Sequence, residues 1–156
     1  MTPPLRYARV ETERRFLVRA VPEGVTHVYD IADRYIEGTR LRLREITTDG
    51  TTTRKLGQKI RLGSGPERIA HTSIYLDDAE WAVLCRLPAR LLRKRRYRVE
   101  QNGVLLAVDR FEDGCLVAEI DGSDERPTDP PPWLDVIREV TGDEAFTGAG
   151  RAGPAE

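Results

Sequence analysis

The stretch Val10-Glu11-Thr12-Glu13-Arg14-Arg15-Phe16-Leu17-Val18 decides how the chain is read. Val10, Phe16, Leu17 and Val18 suit a strand, and successive side chains of a strand alternate between its faces. Glu11, Glu13 and Arg15 then share one face, while Val10, Thr12, Arg14, Phe16 and Val18 share the other. Two carboxylates two residues apart repel unless water screens them or a cation compensates them. A charge run is most often a solvated face, so the rest of the chain has to decide between water and metal.

The 156 residues suit one domain with a substantial core. Charged residues make up 33%, yet the net charge is −1, which argues against a global bias toward nucleic acid or membrane. Cys85 and Cys115 sit among apolar neighbours and read as buried free thiols. With no signal-peptide pattern and no long apolar run, a cytoplasmic protein is expected.

Outward from the opening stretch, most segments alternate. Arg40-Leu41-Arg42-Leu43-Arg44-Glu45-Ile46 has strict period two. Its polar face carries three arginines with no acid between them, which is unfavourable without a partner. Asp49-Gly50 marks a turn. Strand candidates follow at Thr51–Leu62, where Lys59 and Arg61 oppose Ile60 and Leu62, and at Arg68–Leu76. Asp77–Cys85 changes period and reads as a helix with an aspartate cap and Trp81 as core anchor. Leu91–Val99 returns to a strand with Lys94, Arg96 and Arg98 on one face. Asn102-Gly103 and Asp113-Gly114 are turns separating strands at Val104–Phe111 and Cys115–Asp121. Residues 26–37 read as a loop entering a strand near Arg34–Glu37. After a proline-rich connection at Arg126–Pro132, Trp133–Val140 reads as a helix with Trp133, Val136, Ile137 and Val140 on one side. Residues 1–8 are expected to be a flexible lead-in and 148–156 a flexible tail, flanking a domain at 9–147.

Charges segregate by strand. Basic faces lie at 40–44, 59–61 and 94–98; acidic ones lie at 11–13 and 119–121, with Asp109 alone. If the strands close into a barrel, the charged faces can line a wet interior. Burying like charges without partners costs several kcal/mol per ion, so such a lumen calls for a ligand. An anion would answer the arginines, whose forks match phosphate oxygens. A hard divalent cation, Mg²⁺ or Mn²⁺, would answer the carboxylates. A basic nucleic-acid patch is the weaker reading, because aromatic residues are not interleaved with the cations.

In this order the motifs resemble the CYTH domains, the triphosphate tunnel metalloenzymes. Glu11-Thr12-Glu13-Arg14-Arg15 is similar to the family's Glu-x-Glu-x-Lys opening, Leu41-Arg42-Leu43-Arg44 to its paired-arginine strand, and Lys59 to its strand lysine. Lys94-Arg95-Arg96-Tyr97 resembles its Lys-x-Arg-Tyr segment; Val108-Asp109-Arg110-Phe111 and Ala118-Glu119-Ile120-Asp121 resemble its two late acidic strands. Pro131-Pro132-Trp133 and Glu139-Val140-Thr141-Gly142-Asp143 resemble the family's C-terminal stretch. The resemblance implies an α+β fold, an eight-stranded antiparallel closed β-barrel with flanking helices. It implies that Glu11, Glu13, Asp109, Glu119 and Asp121 hold Mg²⁺ or Mn²⁺. It further implies that Arg15, Arg42, Arg44, Lys59, Lys94 and Arg96 hold phosphates, and that Glu11, Glu13 and Arg15 form the catalytic group. The implied activity is metal-dependent hydrolysis of a small triphosphate, foremost inorganic triphosphate, by a monomer or homodimer. The alternatives are a class IV-type adenylyl cyclase and a non-catalytic polyphosphate- or nucleotide-binding module. The chain departs from the family pattern in four places. Arg15 replaces the opening lysine and, always protonated, cannot act as a general base. Asp121 replaces a glutamate. The strand Arg68-Ile69-Ala70-His71-Thr72-Ser73 lacks both acids of an Arg-x-Glu-x-Glu pattern, leaving His71, which reads as a surface residue. Phe146-Thr147-Gly148 stands where the family has Tyr-x-Asn.

Overall fold

The computed structural model describes residues 5–63, 65, 68–122 and 129–154. Residues 1–4 of the expected lead-in, parts of the loop at 64, 66 and 67, residues 123–128 and the last two residues of the tail lie outside the described residues. The strands are β1 (Arg9–Val18), β2 (Val25–Ile36), β3 (Leu41–Thr48), β4 (Thr51–Arg61), β5 (Arg68–Tyr75), β6 (Ala89–Gln101), β7 (Val104–Phe111), β8 (Leu116–Gly122) and β9 (Val136–Glu139). Helix α1 (Asp78–Leu84) joins β5 to β6, and a single helical turn, α2 (Gly148–Arg151), follows a 3₁₀ turn at Glu144–Phe146.

The strands run β5-β4-β3-β2-β6-β7-β8-β1, and β1 pairs again with β5, so the antiparallel sheet closes into the expected eight-stranded barrel. Two tight hairpins fix the register. Asp49-Gly50 and Asn102-Gly103 both take positive φ, 50° and 75° in each case, at β3–β4 and β6–β7. That backbone twist matches the flanking strands. Closure is short, because β1 meets β5 only over Arg9–Thr12. Further along the same edge, β1 pairs instead with β9 over Phe16–Val18.

The outer apolar core gathers Phe16 and Val18 of β1, Val99 of β6, Leu106 and Val108 of β7, and Leu116, Ala118 and Ile120 of β8 around Leu134. Burial of this surface is the main stabilising contribution. A second cluster, Leu92, Phe111, Val117 and Val140 with Leu17, Tyr35 and Phe146, packs at the lumen-facing parity of the strands and plugs part of the interior.

Two element assignments are corrected. Trp133–Val140 is not a helix: a turn closed by the Leu134 amide on the Pro131 carbonyl leads into β9, antiparallel to β1. The spacing of Trp133, Val136, Ile137 and Val140 suits a helix, but an unpaired edge of β1 offers a ladder and Val136 and Ile137 favour extended backbone. Residues 26–33 are not a loop: β2 begins at Val25 and pairs with β3 on one side and β6 on the other. Helix α1 forms as expected, with Asp77 and Glu80 making a reciprocal capping box. It buries none of its residues fully, and Trp81 packs beneath Arg54 rather than in a core. Cys85 and Cys115 are free and half-buried. Among the described residues, no helix is long and apolar enough to cross a membrane.

Candidate functional site

Strand alternation sends one face of every barrel strand inward, and there the charged residues gather. Ten of the eleven expected site residues line one cavity of about 720 Å³: Glu11, Glu13, Arg15, Arg42, Arg44, Lys59, Lys94, Arg96, Glu119 and Asp121. The eleventh, Asp109, sits behind the wall, 4% exposed, and its carboxylate accepts from Arg96 at 2.7 and 2.9 Å while Lys94 lies at 2.9 Å. These two cations hold its pKa well below the usual range against the opposing effect of burial.

The basic and acidic sides of the lumen are less segregated than the sequence indicates. Arg44 donates to both oxygens of Asp33 at 2.7 and 2.8 Å, with both residues buried. Lys59 donates to Glu13 at 2.9 Å. Arg96 approaches Glu119 at 3.6 Å, and although burial alone would raise that carboxyl, Lys59 and Arg96 hold it down at about 2.

Two parts of the wall are compensated only in part: Lys59 answers Glu13 alone among three neighbouring carboxylates, and one arginine forms no ion pair among the described residues. On the acidic side, Glu11, Glu13 and Asp121 each offer a ligand atom, all within 4.8 Å of one another. Asp121 keeps an exposed edge, yet partial desolvation of its carboxyl, reinforced by Glu119, Glu13 and Glu11, pushes it up to about 7. Burial and Glu119 likewise raise Glu13. Carboxylates crowded in this way, Glu13 and Asp121 with raised pKa, fit a hard divalent cation, which oxygen donors bind and which relieves their repulsion. On the basic side, Arg42 has a buried Nε with no hydrogen-bond partner and forms no ion pair among the described residues. Burial and the neighbouring Arg44 lower its pKa. Gly57, opposite Arg42 on β4, leaves the room for it: a Cβ there would lie 3.1 Å from Nη2.

Arg15 lines the cavity with its guanidinium bonded to the protein backbone. Nη1 donates to the Phe146 carbonyl at 3.0 Å and Nη2 to the Thr141 carbonyl at 3.1 Å, while Nε lies 3.8 Å from Glu13.

The structure adds residues that sequence reasoning missed. Lys55 lines the cavity two pairs of positions before Lys59 on β4, so the same alternation marks it. Burial and then Arg44 and Arg42 lower its pKa. Asp33 and Tyr35 share one face of β2; Asp33 falls in the stretch read as a loop, whereas Tyr35 lies in the expected strand near Arg34–Glu37 with no expected role. His71 lines the cavity instead of the surface, its Nδ1 3.8 Å from Glu11 and its ring hydrogen-bonded to Ser73. Burial, then Lys59 and Arg42, lower it to about 4, so it is neutral at pH 7. Thr141, Glu144, Thr147, Gly148 and Ala149 of the C-terminal segment complete the wall.

No protein-family model and no curated protein sequence matches the chain. Solved structures do. The inorganic triphosphatase NE1496 is 23% identical, with 91% of this chain and 93% of that one superposed at a TM-score of 0.58. A conserved hypothetical protein from Pyrococcus furiosus is 24% identical over 74% of this chain and 81% of its own, at 0.57. A protein from Pyrococcus horikoshii is 18% identical, covering 74% and 79%, at 0.58. At these identities the likeness shows the fold: a closed antiparallel barrel of the kind that NE1496, a triphosphatase, also has.

Proposed function

We propose that the barrel binds a small triphosphate, foremost inorganic triphosphate, with a divalent cation, and hydrolyses it. One observation carries this reading. A single cavity holds three crowded carboxylates on β1 and β8 and, on β3, a half-buried arginine whose Nε is buried without a hydrogen-bond partner and which forms no ion pair among the described residues. A metal–polyphosphate complex supplies both missing charges. The fold is shared with a triphosphatase, which is an analogy of fold; the chemistry rests on the site.

In this reading Glu11, Glu13 and Asp121 hold Mg²⁺ or Mn²⁺, with Glu119 beside them. When bound, the cation neutralises phosphate charge and lowers the pKa of a coordinated water. Arg42 and Lys55 grip phosphate oxygens directly. Arg44, Lys59, Lys94 and Arg96 are already oriented by acids, so they present preorganised donors without reorganising during reaction. Phosphoryl transfer needs mainly positioning and charge stabilisation, which this wall provides.

The test is phosphate release from inorganic triphosphate, with ATP in parallel, under magnesium, manganese and chelator. Metal-dependent release from triphosphate is expected. Cyclic AMP from ATP would establish the cyclase instead. Tight triphosphate binding without turnover would establish the binding module, a reading that Arg15 favours because a permanent cation stands where the family has lysine.

A further inference from the structure

Arg15 and Phe146-Thr147-Gly148 are far apart in sequence, and both depart from the resemblance described above. In the fold they meet. The guanidinium of Arg15 spans two carbonyls, Thr141 and Phe146, at 3.1 and 3.0 Å. Its backbone joins the same segment: the Arg15 amide donates to Thr141 Oγ1 at 3.0 Å, and the Val140 amide donates to the Arg15 carbonyl at 2.8 Å. With both terminal nitrogens on carbonyls and the side chain only 12% exposed, its donors point at the protein's own backbone.

The segment held this way reaches from β1 across to β4, β2 and β6. Arg61 of β4 pairs with Glu144 at 2.6 Å, and Arg90 of β6 donates to the Ala149 carbonyl at 2.7 Å. Gly148 lies so close to Tyr35 that any side chain there would run into the phenol hydroxyl. Thr141, Glu144 and Thr147–Ala149 are therefore cavity wall, placed by contacts at both ends.

We infer that Arg15 is a positioning residue, a clasp that seats residues 141–149 as one wall of the binding cavity, and that it does not grip the phosphate. A planar fork can bond two carbonyls at once, whereas a lysine ammonium is a point donor on a flexible stem. The role of that wall in binding triphosphate rests on the function proposed above; the clasp itself does not.

The experiment compares wild type, Arg15→Lys, Arg15→Met and Gly148→Ala by amide hydrogen exchange without ligand, and by triphosphate binding and turnover with Mn²⁺. Both Arg15 variants should speed exchange across 141–149 by tenfold or more. They should also weaken triphosphate binding to a similar degree, because the lost contact is the fork and not the charge. The loss should appear in KM more than in kcat. Gly148→Ala, which leaves Arg15 intact but unseats the wall, should give the same pattern. The inference is overturned if exchange across 141–149 is unchanged in the Arg15 variants. It is equally overturned if Arg15→Lys keeps wild-type affinity while Arg15→Met loses thirtyfold or more, the signature of a phosphate ligand. If wild type binds no triphosphate, the proposed function fails, and the exchange data still decide the clasp.

Discussion

Arg42 and Arg44 are two residues apart on one strand face, yet their energetics have opposite signs. Arg44 is 7% exposed and locked to Asp33, itself 1% exposed, by two hydrogen bonds. Removing one partner of a buried pair leaves the other charge uncompensated and costs about 3–5 kcal/mol. Arg44→Met should therefore lower the thermal midpoint sharply, and Asp33→Asn with it. Arg42 has no such partner among the described residues, so Arg42→Met removes a partly desolvated charge instead of orphaning one. The ligand-free protein should be as stable as wild type or more so, by denaturant titration, while triphosphate affinity falls a hundredfold or more. A loss of stability as large as that of Arg44→Met would mean that Arg42 has an internal partner and that the cavity does not await an anion. The inward set was largely legible in the sequence, because alternation alone places Arg42 with Arg44, Lys94 with Arg96, and Glu11 with Glu13. The acids that pair with them were not legible: Asp33 lies on a strand whose pattern is weak, and only pairing with β3 and β6 brings its carboxylate to Arg44.

At the scale of elements, hairpin strands were readable wherever a turn dipeptide bounded an alternating run, as at Asp49-Gly50 and Asn102-Gly103. Elements whose form depends on a distant partner were not. β9 has a helical apolar spacing, and what makes it a strand is the free edge of β1 some 120 positions earlier in the chain. The two forms bury different side chains, which gives a direct test. A helix would turn Ile137 inward with Trp133, whereas the strand leaves Ile137 45% exposed and sinks Leu134, 5% exposed, into the outer core. Leu134→Ala should cost about 2–5 kcal/mol, the range for a buried leucine. Ile137→Ala should cost under about 1 kcal/mol, as surface changes do. Chemical denaturation of the two variants measures both, and the reverse order would reinstate the helix.

For the whole molecule, the acidic side of the lumen ties folding to pH and to metal. The three carboxylates stand on β1 and β8, so their repulsion acts across the register that joins the first strand to the last strand of the barrel wall. Asp121 has its pKa raised from 3.8 to about 7 by burial first and then by Glu119, Glu13 and Glu11. A raised carboxyl favours the folded state while it stays protonated. Its contribution is therefore complete below the unfolded value and is lost as pH climbs through the folded value. Under chelator, the stability difference between wild type and Asp121→Asn should shift steadily against wild type from about pH 4 to pH 7, the interval that those two values set. Mn²⁺ should act oppositely, because a ligand carboxylate must shed its proton to bind. Stabilisation of wild type by the metal should grow over the same interval, reaching about 2.7 kcal/mol at a hundredfold excess over the dissociation constant. Asp121→Asn should lose most of that gain while keeping its stability under chelator. Thermal midpoints of both proteins, with Mn²⁺ and with chelator across this pH range, decide the matter. A wild-type midpoint that Mn²⁺ leaves unmoved at pH 8 would remove the cation from the site and leave the basic wall to bind its anion alone.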